Sequence, residues 1–131
     1  MKTVVILRGL PGSGKSSVSR LFDHHKYVSM DEFWTKDGEP YKFDYARLAE
    51  AIQWTHDRFI AALAAPRDGL IVVDNVGYLK EHFKFFIEAA KARGAVVHIV
   101  HIERPLDELT SHHDVPSEKI LEMAAKWEPI K

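Results

Sequence analysis

Apolar positions Val4-Val5-Ile6-Leu7 run without a polar break into Gly9. That is the pattern of a short strand buried on both faces of a parallel sheet, and it is the expected central strand. From Lys15 the spacing changes to threes and fours: Val18, Leu21, Phe22 and His25 share one face and predict a first helix of about three turns. Tyr27-Val28-Ser29-Met30 reads as a second strand ending at Asp31. Gly38 and Pro40, set among charges between Thr35 and Phe43, mark a surface loop. Asp44 then suits the N-cap of a long helix in which Tyr45, Leu48, Ala49, Ile52, Phe59, Ile60 and Leu63 recur at helical spacing, closed by Pro66 and Gly69.

Leu70-Ile71-Val72-Val73 is a third buried strand, ending in Asp74-Asn75. Leu79, Phe83, Phe86, Ile87 and Ala90 predict a further amphipathic helix stopped by Gly94, and Val96 to Ile102 a fourth strand. Beyond it the pattern gives a helical turn near Leu106 to Leu109, a polar stretch to Asp114, and a last helix opened by Pro116 with Ile120, Leu121, Ala124 and Trp127 inward. Strands alternating with helices imply a parallel sheet covered on both faces and joined by right-handed crossovers. Ligands of such sheets gather at the carboxyl ends of the strands, so Gly9, Asp31 and Asp74 are expected to converge on one crevice.

Composition narrows this little. A chain of 131 residues, 46% apolar and 28% charged, suits one α/β domain over residues 1–131. The absence of cysteine excludes disulfide frameworks and thiolate metal sites. No apolar run approaches the roughly 20 residues of a membrane span, and the start of the chain reads as strand, not targeting segment; a cytoplasmic protein is the expectation. A net charge of −1 supplies no global field for nucleic acid, so contact with a polynucleotide would depend on a local patch.

Gly9-Leu10-Pro11-Gly12-Ser13-Gly14-Lys15-Ser16 has the spacing of a phosphate-binding loop and stands between strand and helix, as its mechanism requires. Glycines let successive N–H groups turn inward to an anion, with the helix N-terminus adding positive charge. Lys15 would neutralise the β and γ phosphates of a nucleoside triphosphate, and Ser16 would place its hydroxyl on Mg2+; Ser17 completes the set. A dinucleotide-binding turn is disfavoured, because its glycines stand in a different order. A merely structural turn would not need loop, strand and helix in register.

Phosphate loops serve GTPases, ATPases and kinases. No Asn-Lys-x-Asp run reads guanine, and Asp74 is followed by Asn75 where a water-activating ATPase usually has glutamate. A kinase needs a carboxylate to take the proton of the incoming hydroxyl. Asp31 is the candidate, with an N-cap as its plainer role. Asp74 would orient the metal's waters, or simply end its strand.

Leu7 to Ser17, Ser29-Met30-Asp31-Glu32-Phe33, Tyr41-Lys42-Phe43-Asp44, Val72-Val73-Asp74-Asn75 and His113-Asp114-Val115-Pro116 through Glu128 resemble the small P-loop kinase domains related to bacteriophage polynucleotide 5′-hydroxyl kinase, in the zeta-toxin and AAA-like kinase group. The likeness covers nearly the whole chain. It implies a three-layer α/β/α P-loop kinase fold with a parallel sheet in strand order 2-3-1-4, ATP and Mg2+ held by Lys15 and Ser16, Asp31 as general base and Asp74 as the acidic strand end. A polynucleotide 5′-hydroxyl is then the favoured acceptor. A small molecule or a modified base in DNA is the alternative, and an ATP-binding module acting through a partner is a third.

Two departures stand out. The family carries an arginine after the base, where this chain has Glu32, Phe33 and Trp34, and another in the lid, where it has Thr110-Ser111-His112-His113. Losing such a group costs several kcal/mol of transition-state stabilisation if nothing replaces it. Arg104, just after the fourth strand, is the nearest substitute.

The remaining signals are weaker. Lys36, Tyr41, Lys42 and Phe43 interleave cations with rings, which suits a nucleobase and a backbone phosphate or, equally, a solvated loop. Lys80 and Lys84 lie one turn apart and are either a phosphate patch or plain surface charge. His24-His25 and His112-His113 lack a third ligand and are not read as metal sites, while Trp34, Trp54 and Trp127 read as packing or rim residues.

Overall fold

A computed structural model describes residues 2–10, 13–21, 26–38, 40–66, 68–75, 80–103 and 117–128. Four parallel strands, β1 (Lys2–Arg8), β2 (Lys26–Val28), β3 (Gly69–Asn75) and β4 (Val96–His101), form one sheet in the order β2-β3-β1-β4. The apolar runs of β1 and β3 therefore lie inside the sheet. β1 pairs with β3 from Lys2–Gly69 to Arg8–Asn75, and with β4 from Thr3–Val96 to Arg8–His101.

The alternation of strand side chains divides β1 between two layers. Val4 and Ile6 face a cluster with Val28, Ile71 and Val73, capped by Phe59 and Leu63 of helix α2 (Leu48–Ala64) and by Phe83 and Phe86 of helix α3 (Glu81–Ala92). Val5, Leu7 and Val72 face the other side, against Val18 of helix α1 (Lys15–Ser19) and Tyr27. Helix α4 (Ser117–Ala125) buries Ile120. Gly94, with φ of 73°, closes α3 in the left-handed conformation that glycine adopts without strain; the Ala95 N–H returns to the Ala90 carbonyl at 3.0 Å.

The boundaries differ from the sequence reading in instructive places. The second strand ends at Val28, and Met30–Thr35 is a 3₁₀ helix. Ser29 there completes a capping box with Glu32, which holds the backbone more tightly than a strand edge would. Asp44 caps a 3₁₀ turn, Tyr45–Arg47, that leads directly into α2. Helix α1 is five residues long where about three turns were expected, so Leu21 falls in the turn after it and is 82% exposed; Ile52 and Leu121, 41% and 55% exposed, lie outside the stripes that α2 and α4 bury, which are narrower than the apolar spacing suggests. Phe22, His25, Leu79 and the expected turn at Leu106 to Leu109 lie outside the described residues.

Phe59 is fully buried and meets Phe86 edge to face, with centroids 5.0 Å apart at 89°. It joins α2 to α3 over the sheet. Phe59→Ala is expected to cost about 4 kcal/mol in urea denaturation; a loss under about 1 kcal/mol would mean that this contact is not part of the core.

Candidate active site at the phosphate loop

The chain leaves β1 at Arg8 and turns at once. A Cβ on Gly9 would overlap Ser13 Oγ and press to 3.0 Å on the Ile102 carbonyl, so only glycine fits between the loop and the end of β4. Gly14, with φ of 97°, takes a conformation that L side chains rarely adopt. The Ser13 N–H donates to the Leu10 carbonyl at 3.0 Å, and Val18 to Gly14 at 3.0 Å as α1 begins. Ser13 is buried, and its hydroxyl has no hydrogen-bond partner among the described residues. A buried polar atom without a partner costs free energy unless something polar meets it. A phosphate oxygen is a chemically suitable partner, and the orphaned hydroxyl, the close-packed Gly9 and the left-handed Gly14 together fit a phosphate-wrapping loop.

Lys15 opens α1 and is half-buried, with Nζ 3.4 Å from the Leu10 carbonyl. Burial lowers its pKa, while the charges of Asp74 and Asp31 act in the opposite direction. The three strand ends do meet. Asp74, buried at the end of β3, accepts the hydroxyl of Tyr27 from the neighbouring strand. Burial and the Asp74 charge raise the Tyr27 pKa far above the usual phenol value, so this hydroxyl stays a donor. Asn75 Oδ1 accepts the Met30 N–H at 3.1 Å, which ties the end of β3 to the first turn of the 3₁₀ helix. Asp31 stands on that turn, its N–H donated to Ser29 Oγ at 3.2 Å, and its side chain is exposed.

A further group faces Asp31 across the crevice. The Tyr41 hydroxyl bonds the Asp31 carboxylate, and burial, followed by the Asp31 charge, pushes the Tyr41 pKa up to about 12. The wall beyond it lines an open cleft of about 480 Å3 bordered by Phe33, Trp34, Tyr41, Lys36, Lys42 and Arg47, with Asp37, Pro40 and Asp44. Phe33 and Trp34 are buried against α2. The Arg47 and Lys36 cations sit 4.8 and 5.0 Å from the Phe33 centroid, and Trp34 meets Phe43 at 5.1 Å.

The structure brings Lys15, Asp31 and Asp74, expected from the sequence, to one end of the sheet; the groups that orient them were not foreseen. Tyr27, Asn75 and Arg8 were not singled out as orienting groups. Arg8 was the most visible, a lone charge ending an apolar strand, and period-two alternation already placed it on the face of Val4 and Ile6. Lys84 pairs with Glu88 at 3.8 Å on an exposed stretch of α3, which is plain surface charge. Pro11, Gly12, Arg104, the Ser16 side chain and both histidine pairs lie outside the described residues. Among the described residues no three His, Asp or Glu side chains gather as a metal cage, and no helix is long and apolar enough to cross a membrane.

A parallel sheet in the order 2-3-1-4, with a glycine-rich loop between its central strand and the next helix, defines a P-loop kinase fold. The chain belongs to the AAA domain family, whose model matches residues 4–130. A 97-residue stretch, 68% of this chain, is 35% identical to 2′,3′-cyclic-nucleotide 3′-phosphodiesterase of Pongo abelii and covers 21% of that protein. A 76-residue stretch, 55% of the chain, is 36% identical to NEDD4-binding protein 2 of Homo sapiens and covers 4% of it. The chain thus spans 21% or less of these relatives' lengths. Among solved structures, a chain of the Pnkp1/Rnl/Hen1 RNA repair complex superposes with a TM-score of 0.76 over 95% of this chain and 43% of its own, at 18% identity. The APS kinase CysC of Mycobacterium tuberculosis, in complex with AMPPNP and APS, gives 0.59 over 82% of this chain and 65% of its own, at 24% identity. These last two are likenesses of fold.

Gly9→Ala is expected to weaken nucleotide binding at least about tenfold while the far-ultraviolet circular dichroism stays unchanged, since the new methyl displaces Ser13 and the Ile102 backbone. Wild-type affinity in a calorimetric titration would show that the tight approach is irrelevant to the site. Tyr41 gives a second expectation. Its folded pKa, about 12, lies above the ordinary 10.0, so its contribution to stability is complete below the ordinary value and is lost as pH rises from there towards the folded one. Tyr41→Phe should remove that part of the alkaline decline in denaturant midpoints; an identical decline in both proteins would dissociate Tyr41 from it.

Proposed function

We propose that the chain is an ATP- and magnesium-dependent phosphotransferase that moves the γ-phosphate to a hydroxyl acceptor, and that the acceptor is a polynucleotide 5′-end. The observation that carries this reading is the placement of Asp31: a carboxylate exposed to the crevice, held by a capped turn, and close enough to the loop lysine for its charge to act on it. A kinase needs such a group within reach of both the acceptor and the phosphoryl to be moved.

In this reading the loop backbone, Ser13 and Lys15 hold the triphosphate. The acceptor oxygen forms a bond to the γ-phosphorus as the bond from that phosphorus to the β,γ-bridging oxygen breaks. The hydroxyl proton passes to the Asp31 carboxylate, and ADP leaves with the electron pair of the broken bond. Tyr41 donates to the same carboxylate and helps to hold it at the crevice. Ser16 would give its hydroxyl to Mg2+ and Asp74 would hold the ion's waters; when bound, the ion would supply positive charge to the phosphates. Arg104 is assigned to the phosphates as well, in place of the arginine the family carries elsewhere.

The cavity next to Asp31 supports a nucleic-acid acceptor through the half-buried ring of Tyr41, set on the buried Phe33 and Trp34, and through the cations that line it, since a ring meets a base and cations meet the backbone. The solved structure from an RNA repair complex agrees with that choice at the level of fold. The likeness to an APS kinase keeps a small acceptor in view. A separate observation favours the binding-module reading: at the stretch where the family has an arginine, Glu32 is engaged by Ser29 and Arg58 while Phe33 and Trp34 are buried, so no cation faces the phosphates from there.

Transfer from γ-labelled ATP to a single-stranded oligonucleotide with a 5′-hydroxyl tests the reading, beside nucleosides and 5′-blocked DNA carrying modified bases. Label on the 5′-end is expected, with kcat falling about a thousandfold in Asp31→Asn and ATP affinity changing by less than about threefold. Label on another acceptor alone would move the substrate and keep the kinase. ATP binding without transfer to any acceptor would leave a binding module.

A further inference from the structure

Arg8 is 2% exposed and immediately precedes Gly9. Its guanidinium lies between two rings, with Cζ 4.6 Å from the Phe83 centroid and 4.3 Å from that of Trp127. Nη2 donates to the Glu128 carbonyl at 2.7 Å, while the Arg8 carbonyl accepts the Ile102 N–H at 2.8 Å. The residue that delivers the chain into the phosphate loop is thus also the seat of the segment that follows α4. That segment is anchored twice more: Trp127 stacks on His101 at 4.5 Å and 15°, and Glu128 Oε1 accepts the Lys80 N–H at 3.2 Å just before α3.

Closing the sheet does not require this arrangement. An aliphatic side chain at position 8 would extend the Val4 and Ile6 face at far lower desolvation cost than a guanidinium. What arginine adds is directionality, a planar group gripped on both faces with an N–H aimed at one carbonyl. The grip matters because the next residue has no slack: Gly9 is packed against the Ile102 carbonyl, and Ile102 is itself bonded to Arg8.

We propose that Arg8 is a positioning residue of the nucleotide site: by seating Trp127 and Glu128 against the end of β1 it fixes the entry to the phosphate loop, so that docking of the C-terminal segment and nucleotide binding strengthen each other. The inference rests on the triphosphate reading above. Coupling of this kind is reciprocal; whatever factor docking adds to nucleotide affinity, nucleotide returns to docking. A staple that served stability alone would lower the melting temperature and leave the affinity of the folded protein unchanged.

The test is calorimetric titration of the full chain with magnesium AMPPNP, under conditions where circular dichroism shows every variant folded. It is accompanied by hydrogen exchange of residues 120–128 with and without nucleotide. Arg8→Met and Trp127→Leu are each expected to weaken binding about tenfold, with the double variant losing far less than the product of the two, since both break one contact. Arg8→Lys should recover only part of the affinity, because an ammonium cannot be gripped as a plane. Nucleotide should slow exchange at 120–128 in the wild type and not in Arg8→Met. Wild-type affinity in a folded Arg8→Met, or the same slowing in both proteins, overturns the inference and leaves the nucleotide site standing. A wild type that binds no AMPPNP overturns the nucleotide reading and the inference with it. Should Arg8→Met fail to fold, Trp127→Leu decides alone, with unchanged affinity counting against the proposal.

Discussion

The turn from β1 into the phosphate loop is the constraint to which the rest of the structure answers. β1 has parallel partners on both sides as far as Arg8, so its backbone is committed to the sheet up to the residue at which it must turn into the glycine-rich loop. The change happens across one peptide, at a glycine with no room for a methyl group. Such a corner holds only if the strands beside it are fixed. The buried runs of β3 and β1, covered by Phe59, Phe83 and Phe86 on one face and by Val18 and Tyr27 on the other, supply that rigidity.

Around this corner the polar groups are organised by strand order. Because β3 lies between β1 and β2, the residues that end it can reach both neighbours. Asp74 takes the hydroxyl of Tyr27, and Asn75 takes the N–H of Met30. The turn carrying Asp31 is therefore hung from the strand next to the phosphate loop. The capping box of Ser29 and Glu32 closes the same turn from within, and Arg58 of α2 reaches Glu32 at 3.5 Å from outside. The position of a carboxylate exposed to solvent is thus set by contacts that are mostly out of it.

This explains what could be read in the chain and what could not. Apolar runs and their spacing gave the four strands, their parallel sense and the convergence of Gly9, Asp31 and Asp74, because burial and period are local properties of sequence; the strand order itself came from family resemblance. The phosphate loop was legible for the same reason, since its glycines answer to backbone needs within eight residues. The ties that orient the site were not, as Tyr27 to Asp74 and Met30 to Asn75 span 47 and 45 residues, and no local pattern marks them. The 3₁₀ helix at Met30 was misread as strand end because its β-like spacing conceals a serine and a glutamate three apart. Ile52 and Leu121 were placed inward because spacing states which face a residue shares and not how much of that face is covered; Leu21 was placed on a helix that stops two residues before it.

The acceptor side obeys different physics from the donor side. In the proposed reading the phosphate loop offers an anion the buried Ser13 hydroxyl, which has no partner among the described residues, and the half-buried Lys15. Two of the three cations around the cavity already have company: Lys36 lies 3.0 Å from Asp37, and Arg47 donates twice to Glu50 at 3.1 Å. An incoming phosphate would have to displace carboxylates from them, and exposed pairs of this kind gain little by exchanging one anion for another. With a net charge of −1 for the whole chain, no long-range field makes up the difference. Under the proposed function, discrimination among acceptors would fall to the half-buried ring of Tyr41, set on the buried Phe33 and Trp34 that pack against α2, and to the fit of a hydroxyl beside Asp31. Such a cavity would select by shape before charge.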